Sequence, residues 1–263
     1  MASKDHRFRL GKISVNGGTP TIDEFFESLR GHGIETGEPG NRRGVRRVSY
    51  DQENNLLFFV YIEEQERHFT GLDEEGKITT EKMYPLSTAK CVLSDGILVF
   101  ESTQGIAFDD IIEIIFQPFD TEPSARLVNE IDRKTMLVFL EESLKTLKKY
   151  KVKEIGKHEP NPIDVTGRAR TVVEGASDIL DSLLGSVGRK GDADDDLSEA
   201  LVGLSNPDRL RGEDSDGRIR EFYRSGRAVL RYDDEEMTDE EEATLIRRFV
   251  YESYYEYISS DNS

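Results

Sequence analysis

Leu56-Leu57-Phe58-Phe59-Val60-Tyr61-Ile62, entered through the turn formers Asp51-Gln52-Glu53-Asn54-Asn55, decides the fold. A strand with one wet face alternates apolar and polar residues, whereas this run is apolar on both sides from Leu56 to Tyr61 and predicts a central strand covered on both faces. Turn signals recur around it at strand-like intervals. Asp51 to Asn55 separates the run from Val48-Ser49-Tyr50, Asp73 to Gly76 separates His68-Phe69-Thr70 from Lys77 to Thr80, and Ser94-Asp95-Gly96 separates Ala89 to Leu93 from Ile97 to Phe100. The pattern is that of an antiparallel meander. Phe108, Ile111, Ile112 and Ile115 follow at helical spacing and supply a cover for one face.

Upstream, Phe8 to Val15 reads as an edge strand. Pro20 precedes the capping box Thr21-Ile22-Asp23-Glu24, in which Thr21 and Glu24 satisfy free backbone donors at a helix start. Phe25, Phe26 and Leu29 give that helix its buried face, Gly31 and Gly33 end it, and Glu35 to Asn41 is a loop.

Downstream, Ser124 to Tyr150 reads as helix. Leu137, Leu140, Leu144 and Leu147 make a stripe widened by Met136 and Phe139, and Lys145, Lys148, Lys149, Lys151 and Lys153 suit the partial negative charge of a helix C-terminus. Pro160 and Pro162 mark residues 158–163 as a linker. A second apolar face, from Val172 to Val187, predicts another helix. Asp192 to Asp196 reads as a solvated acidic linker and Asn206 to Gly217 as a polar, mobile stretch. A hairpin follows: Arg218 to Tyr223, a turn at Arg224-Ser225-Gly226, and Arg227 to Tyr232. Thr238 and Glu241 then open a final helix with Leu245, Ile246, Phe249, Val250, Ser253 and Tyr257 on its packing side. The expectation is an α+β protein: a β-rich region over 1–120, a helical segment over 121–160, a helix plus acidic linker over 161–217, and a C-terminal β-β-α element over 218–263.

The chain carries 53 Asp plus Glu against 35 Lys plus Arg, a net charge of −18 over 263 residues. With 36% apolar residues, including 13 Phe and 10 Tyr, it is not the composition of a disordered acidic chain. The acidity belongs to a folded surface, and a salt-accumulating cytoplasm, where dense carboxylates stay hydrated and their repulsion is screened, is the expected setting; an ordinary cytosol with an acidic, partner-repelling surface is the alternative. Cys91 is the one cysteine, which excludes an intramolecular disulfide and a cysteine-rich zinc site and points to a reducing, cytoplasmic compartment. No run of about 18 apolar residues occurs, so no membrane association is expected.

Two basic groups are candidates for contact with phosphate or nucleic acid. The first is the hairpin, with Arg218, Arg220, Arg224, Arg227 and Arg231, and with Arg209 and Arg211 nearby. Alternation puts Arg218, Arg220 and Phe222 on one side of the first strand and Arg227, Val229 and Arg231 on one side of the second, so that one face is expected to be basic. Arginine's planar fork grips phosphate at two points and stacks on bases, and a two-stranded ribbon fits a DNA major groove. The competing expectation is pairing of these arginines with Asp214, Asp216, Asp233, Asp234 and the acidic last helix. The second group is Arg42, Arg43, Arg46 and Arg47, in a Gly-rich loop leading into a strand: an anion cradle, or a polar loop serving the acidic surface.

In molar salt the counterion-release part of nucleic-acid binding shrinks, so such a site needs shape and directed hydrogen bonds. No metal-ligand spacing, phosphate loop or nucleophile elbow is present, and no cofactor or catalytic residue is assigned. The functional expectation is a non-enzymatic binding or adaptor protein. Its alternatives are a metal-dependent nuclease-class enzyme with unidentified carboxylates, for which Asp132-Arg133-Lys134 is the nearest constellation, and a structural subunit docking through the apolar face of residues 172–187.

Overall fold

The computed structural model describes residues 3–31, 41–72, 77–132, 135–139, 147–154, 207–214, 216–233 and 237–259. The expected linker at 158–163, the helix over 172–187 and the acidic run at 192–196 lie outside the described residues. The protein is a mixed α+β chain dominated by antiparallel sheet and closed by a C-terminal helix. It divides into two compact units, Arg7–Leu127 with Glu236–Arg248, and Met1–His6 with Val128–Glu235 and Phe249–Ser263.

In the first unit, β2 (Arg43–Asp51), β3 (Leu56–Glu64), β6 (Leu86–Ser94) and β7 (Ile97–Glu101) pair antiparallel in that order, and β1 (Lys4–Val15) joins β7. β4 (Arg67–Leu72) and β5 (Ile78–Met83) make a separate two-stranded arm between β3 and β6. The run from Leu56 to Ile62 is the buried central strand that its composition demands. Leu57, Phe59 and Tyr61 pack into a core with α1 (Ile22–Gly31) and α2 (Phe108–Phe116). Phe58 and Val60, on the other face, are equally buried, and Lys90, opposite Val60, bonds Glu242 of α3 (Asp239–Ser259), so α3 covers that side.

Both capping boxes form. Thr21 N–H donates to Glu24 Oε2 at 2.8 Å while Thr21 Oγ1 accepts from the Glu24 N–H at 3.3 Å, and Thr238 with Glu241 repeats the arrangement at 2.8 and 3.3 Å.

β1 corrects one expectation: it is interior, not an edge. Its residues Phe8 to Lys12 pair with β7, and Gly11 to Val15 pair with β8 (Pro123–Leu127). Phe8 and Leu10 fill one face, and Gly11 opens the other to α2, since a Cβ there would stand 2.2 Å from the Phe108 ring.

The helical middle is corrected as well. Residues 135–139 are helical, but Pro123–Leu127 and Leu147–Glu154 (β9) are strands. In Leu147-Lys148-Lys149-Tyr150-Lys151-Val152-Lys153-Glu154 the apolar residues Tyr150 and Val152 alternate with lysines, a period of two that the upstream leucine stripe obscures. The stretch expected to be mobile, Asn206 to Gly217, contains β10 (Pro207–Asp214), paired with β9 on one side and β11 (Ile219–Tyr223) on the other. β12 (Arg227–Tyr232) completes the sheet of the second unit, so the expected β-β-α tail is a helix on a four-strand antiparallel array.

The inner face of that sheet carries Leu210, Phe222, Ala228, Leu230 and Tyr232, all buried. Phe222 stacks on Phe249 of α3 with centroids 5.8 Å apart, and Tyr254, at the kink in α3, meets Phe139 edge-on and donates its hydroxyl to the Gly226 carbonyl at 3.1 Å. Gly226 turns the hairpin with φ +72°, and a Cβ there would lie 2.8 Å from the Val128 carbonyl oxygen. Left-handed strain and the clash act together. Gly226→Ala is therefore expected to destabilise the protein by about 1–3 kcal/mol, read as a lower denaturant midpoint.

Candidate nucleic-acid interface

The register of β9 to β12 sorts the arginines of the hairpin by face. Arg220 pairs with Leu230 and Phe222 with Ala228, which puts Arg220 on the inner, packed side. Ile219 pairs with Arg231 and Glu221 with Val229, so Arg231 stands on the outer side with Glu221 and Tyr223. The single basic face expected from the hairpin alone is thus split. A three-residue turn centred on Ser225 matches even positions with even, and Arg218 and Arg220 do not join Arg227 and Arg231.

Arg220 is 3% exposed and belongs to the core. Its Nε and Nη2 donate to Asp214 Oδ2 at 3.0 and 2.9 Å, its Nη1 donates to Glu252 of α3, and its guanidinium lies 5.9 Å from the Phe249 centroid. Asp214 Oδ1 accepts the backbone N–H groups of Asp216 and Arg218 at 2.9 and 3.0 Å, so the carboxylate also fixes the β10–β11 connection. Arg218 pairs with Asp216 at that connection. Arg224, in the turn, donates to Glu130 at 2.9 Å, and Arg231 donates to Asp5 at 2.6 Å. Pairing with carboxylates therefore accounts for four of the five hairpin arginines.

Arg227 differs. Its guanidinium sits 4.3 Å from the centroid of Tyr223, and no carboxylate among the described residues pairs with it. Arg209, on β10 opposite Tyr223, approaches the same ring at 5.2 Å. Arg209 Nη2 also donates to Glu221 Oε1 at 2.8 Å, Arg211 stands 3.4 Å from that oxygen, and Tyr223 Oη donates to Glu221 Oε2. Burial pulls the Glu221 carboxyl up, but donation from Tyr223 and Arg209 overcomes it and holds the group below its ordinary value. Burial and the bond to Glu221 push Tyr223 up, so the phenol keeps its proton and remains a donor.

Sequence reasoning missed the rest of this face. Lys153, Lys151 and Lys149 occupy the β9 register positions opposite Arg209, Arg211 and Glu213. The outer face itself carries Arg209, Arg211, Arg227 and Arg231 against Asp5, Glu213 and Glu221, and the β9 register positions beside Arg209, Arg211 and Glu213 are these lysines. The alternation of lysines from Lys149 to Lys153 was the available signal, and a helix-terminus reading of the same lysines concealed it.

The second basic group lies in the first unit. Arg42 stands 3.9 Å from Glu64. Arg43 reaches Asp110 and Glu113 of α2, each at 3.1 Å, and Glu63 at 3.7 Å. Arg46 is exposed on β2. Arg47 adopts φ +54° at a register shift in β2, and this bulge aims it at Glu242 and Asp239 of α3, at 2.8 and 3.1 Å. The partners of Arg43 and Arg47 join strand to helix and that of Arg42 lies on β3, which is what a polar stretch serving the acidic surface looks like.

Cys91 is fully buried, and burial pushes its thiol well up, away from nucleophilic reactivity. Among the described residues, no three His, Cys, Asp or Glu side chains are grouped to hold a metal ion, and no helix is long and apolar enough to cross a membrane. No protein-family model matches the chain, and no curated protein matches it in sequence.

Proposed function

We propose that the chain is a non-enzymatic binding protein that contacts nucleic acid through the outer face of the β9–β12 sheet. The observation that carries this reading is the concentration of cationic positions there in a chain of net charge −18. Acidic surface elsewhere repels a polyanion, so any encounter is steered to this face. Arg211 is 48% exposed at its side chain and Arg209 is 32% exposed, although both also serve Glu221. An adaptor role is supported separately by the β4–β5 arm, where Phe69, Ile78 and Met83 are 48%, 76% and 50% exposed.

Retention on immobilised heparin and on oligonucleotide resin tests the reading. The wild type should be retained at low salt and the Arg209→Ser, Arg211→Ser double variant should elute earlier. Absence of retention at every KCl concentration at which the protein is folded would remove the proposal.

A further inference from the structure

The geometry points to a defined seat for a single strand of nucleic acid, formed by Arg209 and Arg227 on either side of Tyr223. This inference rests on the reading of the β9–β12 face just given. Three features converge on these residues.

First, both guanidiniums are fixed against one ring, at 5.2 and 4.3 Å from its centroid, and that ring is itself held by the bond from Tyr223 Oη to Glu221. A guanidinium held on an aromatic face has lost most of its rotamer freedom before a ligand arrives.

Second, the Nε–H of Arg209 and the Nε–H of Arg227 are both buried with no acceptor. These Nε–H groups are closed to a ligand, so each guanidinium would meet a phosphodiester through its Nη groups, as charge-assisted donors. Arg227 has no carboxylate partner among the described residues, so a phosphate there displaces none.

Third, cationic residues recur in register along the neighbouring strands. Lys149, Lys151 and Lys153 recur every second position along β9, about 6.7 Å apart, beside Arg209 and Arg211 on β10. A row suits a chain of phosphates, where a lone pocket would suit a single phosphoryl group.

Single strands are favoured over duplex for a physical reason. Tyr223 is bracketed by guanidiniums, so the stacking surfaces this site offers to a base are guanidinium planes. Only unstacked bases present their flat faces to such planes, and a duplex hides them. Base stacking and directed phosphate contacts also survive salt better than counterion release does.

Fluorescence anisotropy of the full chain tests this with three labelled probes: a single-stranded oligonucleotide, its duplex and a phosphoserine peptide. The single strand should bind about tenfold more tightly than the duplex, and Arg227→Lys and Arg209→Lys should each lose about five- to tenfold on the single strand, since lysine keeps the charge but not the planar fork. Thermal midpoints within a few degrees of wild type show that these conservative variants are folded. Duplex binding equal to single-strand binding, preference for the phosphopeptide, or lysine variants that bind like wild type would each overturn the seat while leaving a polyanion-binding face in place. Failure of all three probes, with no retention on heparin, would remove both.

Discussion

Arg220→Ala is expected to cost about 3–5 kcal/mol of folding stability, a large part of the roughly 5–15 kcal/mol that holds a domain folded. Arg220 and Asp214 are each 3% exposed, and Glu252 is 15% exposed at its side chain. Removing the cation leaves Asp214 and Glu252 close together inside the second unit with their shared counterion gone. Asp214 keeps two backbone donors, from Asp216 and Arg218, whereas Glu252 loses the Arg220 contact to α3. The guanidinium also packs over Phe249, so its loss opens a space beneath the helix. A urea titration reads the effect as a fall in midpoint at unchanged slope. A loss of unfolding free energy below about 1 kcal/mol would show that the buried cluster is not what joins β10, β11 and α3. Hairpin arginines should therefore separate by experiment: Arg220→Ala is expected to act on stability, and Arg227→Lys, under the proposed function, on binding.

Glu242→Ala should be comparably damaging in the first unit. Its carboxylate is 2.7 Å from Lys90 Nζ and 2.8 Å from Arg47 Nη1, and the side chains of Glu242 and Lys90 are 7% and 10% exposed. Arg47 retains Asp239, at 3.1 Å, as a second partner, but Lys90 loses the buried carboxylate over the strand face that α3 covers. Breaking this buried pair from one side is expected to cost at most about 3–5 kcal/mol. Glu242→Gln should cost less, because an amide oxygen still accepts from Lys90. Arg47 holds its positive φ while bonded to Glu242 and Asp239, so in Glu242→Ala the β2 bulge is where amide exchange should rise first.

Features set by neighbours in sequence were legible. Leu56 to Ile62 announced a two-sided central strand because burial on both faces removes the need for alternation. Thr21 with Glu24 and Thr238 with Glu241 announced helix starts because the capping box is a four-residue device. The turn at Arg224 to Gly226 was legible for the same reason. Features set by distant partners were not. β9 and β10 are ordered by pairing Leu147–Glu154 with Pro207–Asp214, and neither segment carries enough apolar residues to announce a strand alone. β1 looked like an edge because its second partner, β8, lies more than a hundred residues along the chain.

The candidate site divides the same way. That Arg227 and Arg231 alternate was visible, but their fates depend on Tyr223 and on Asp5. Arg220 could be separated from them only once the inner face was known, and the lysines of β9 only once the strand was.

The most direct measurement is the salt dependence of single-strand binding, as the slope of log Kobs against log [KCl], for wild type and for Arg211→Ala. Arg211 is the most exposed arginine paired with Glu221, and each phosphate contact on a single strand contributes about 0.7 to that slope. A wild-type slope that falls by about 0.7 in Arg211→Ala, with both proteins equally stable, is the result expected if the outer face of β9–β12 carries the phosphates. An unchanged slope and affinity would place the nucleic acid elsewhere and contradict the account.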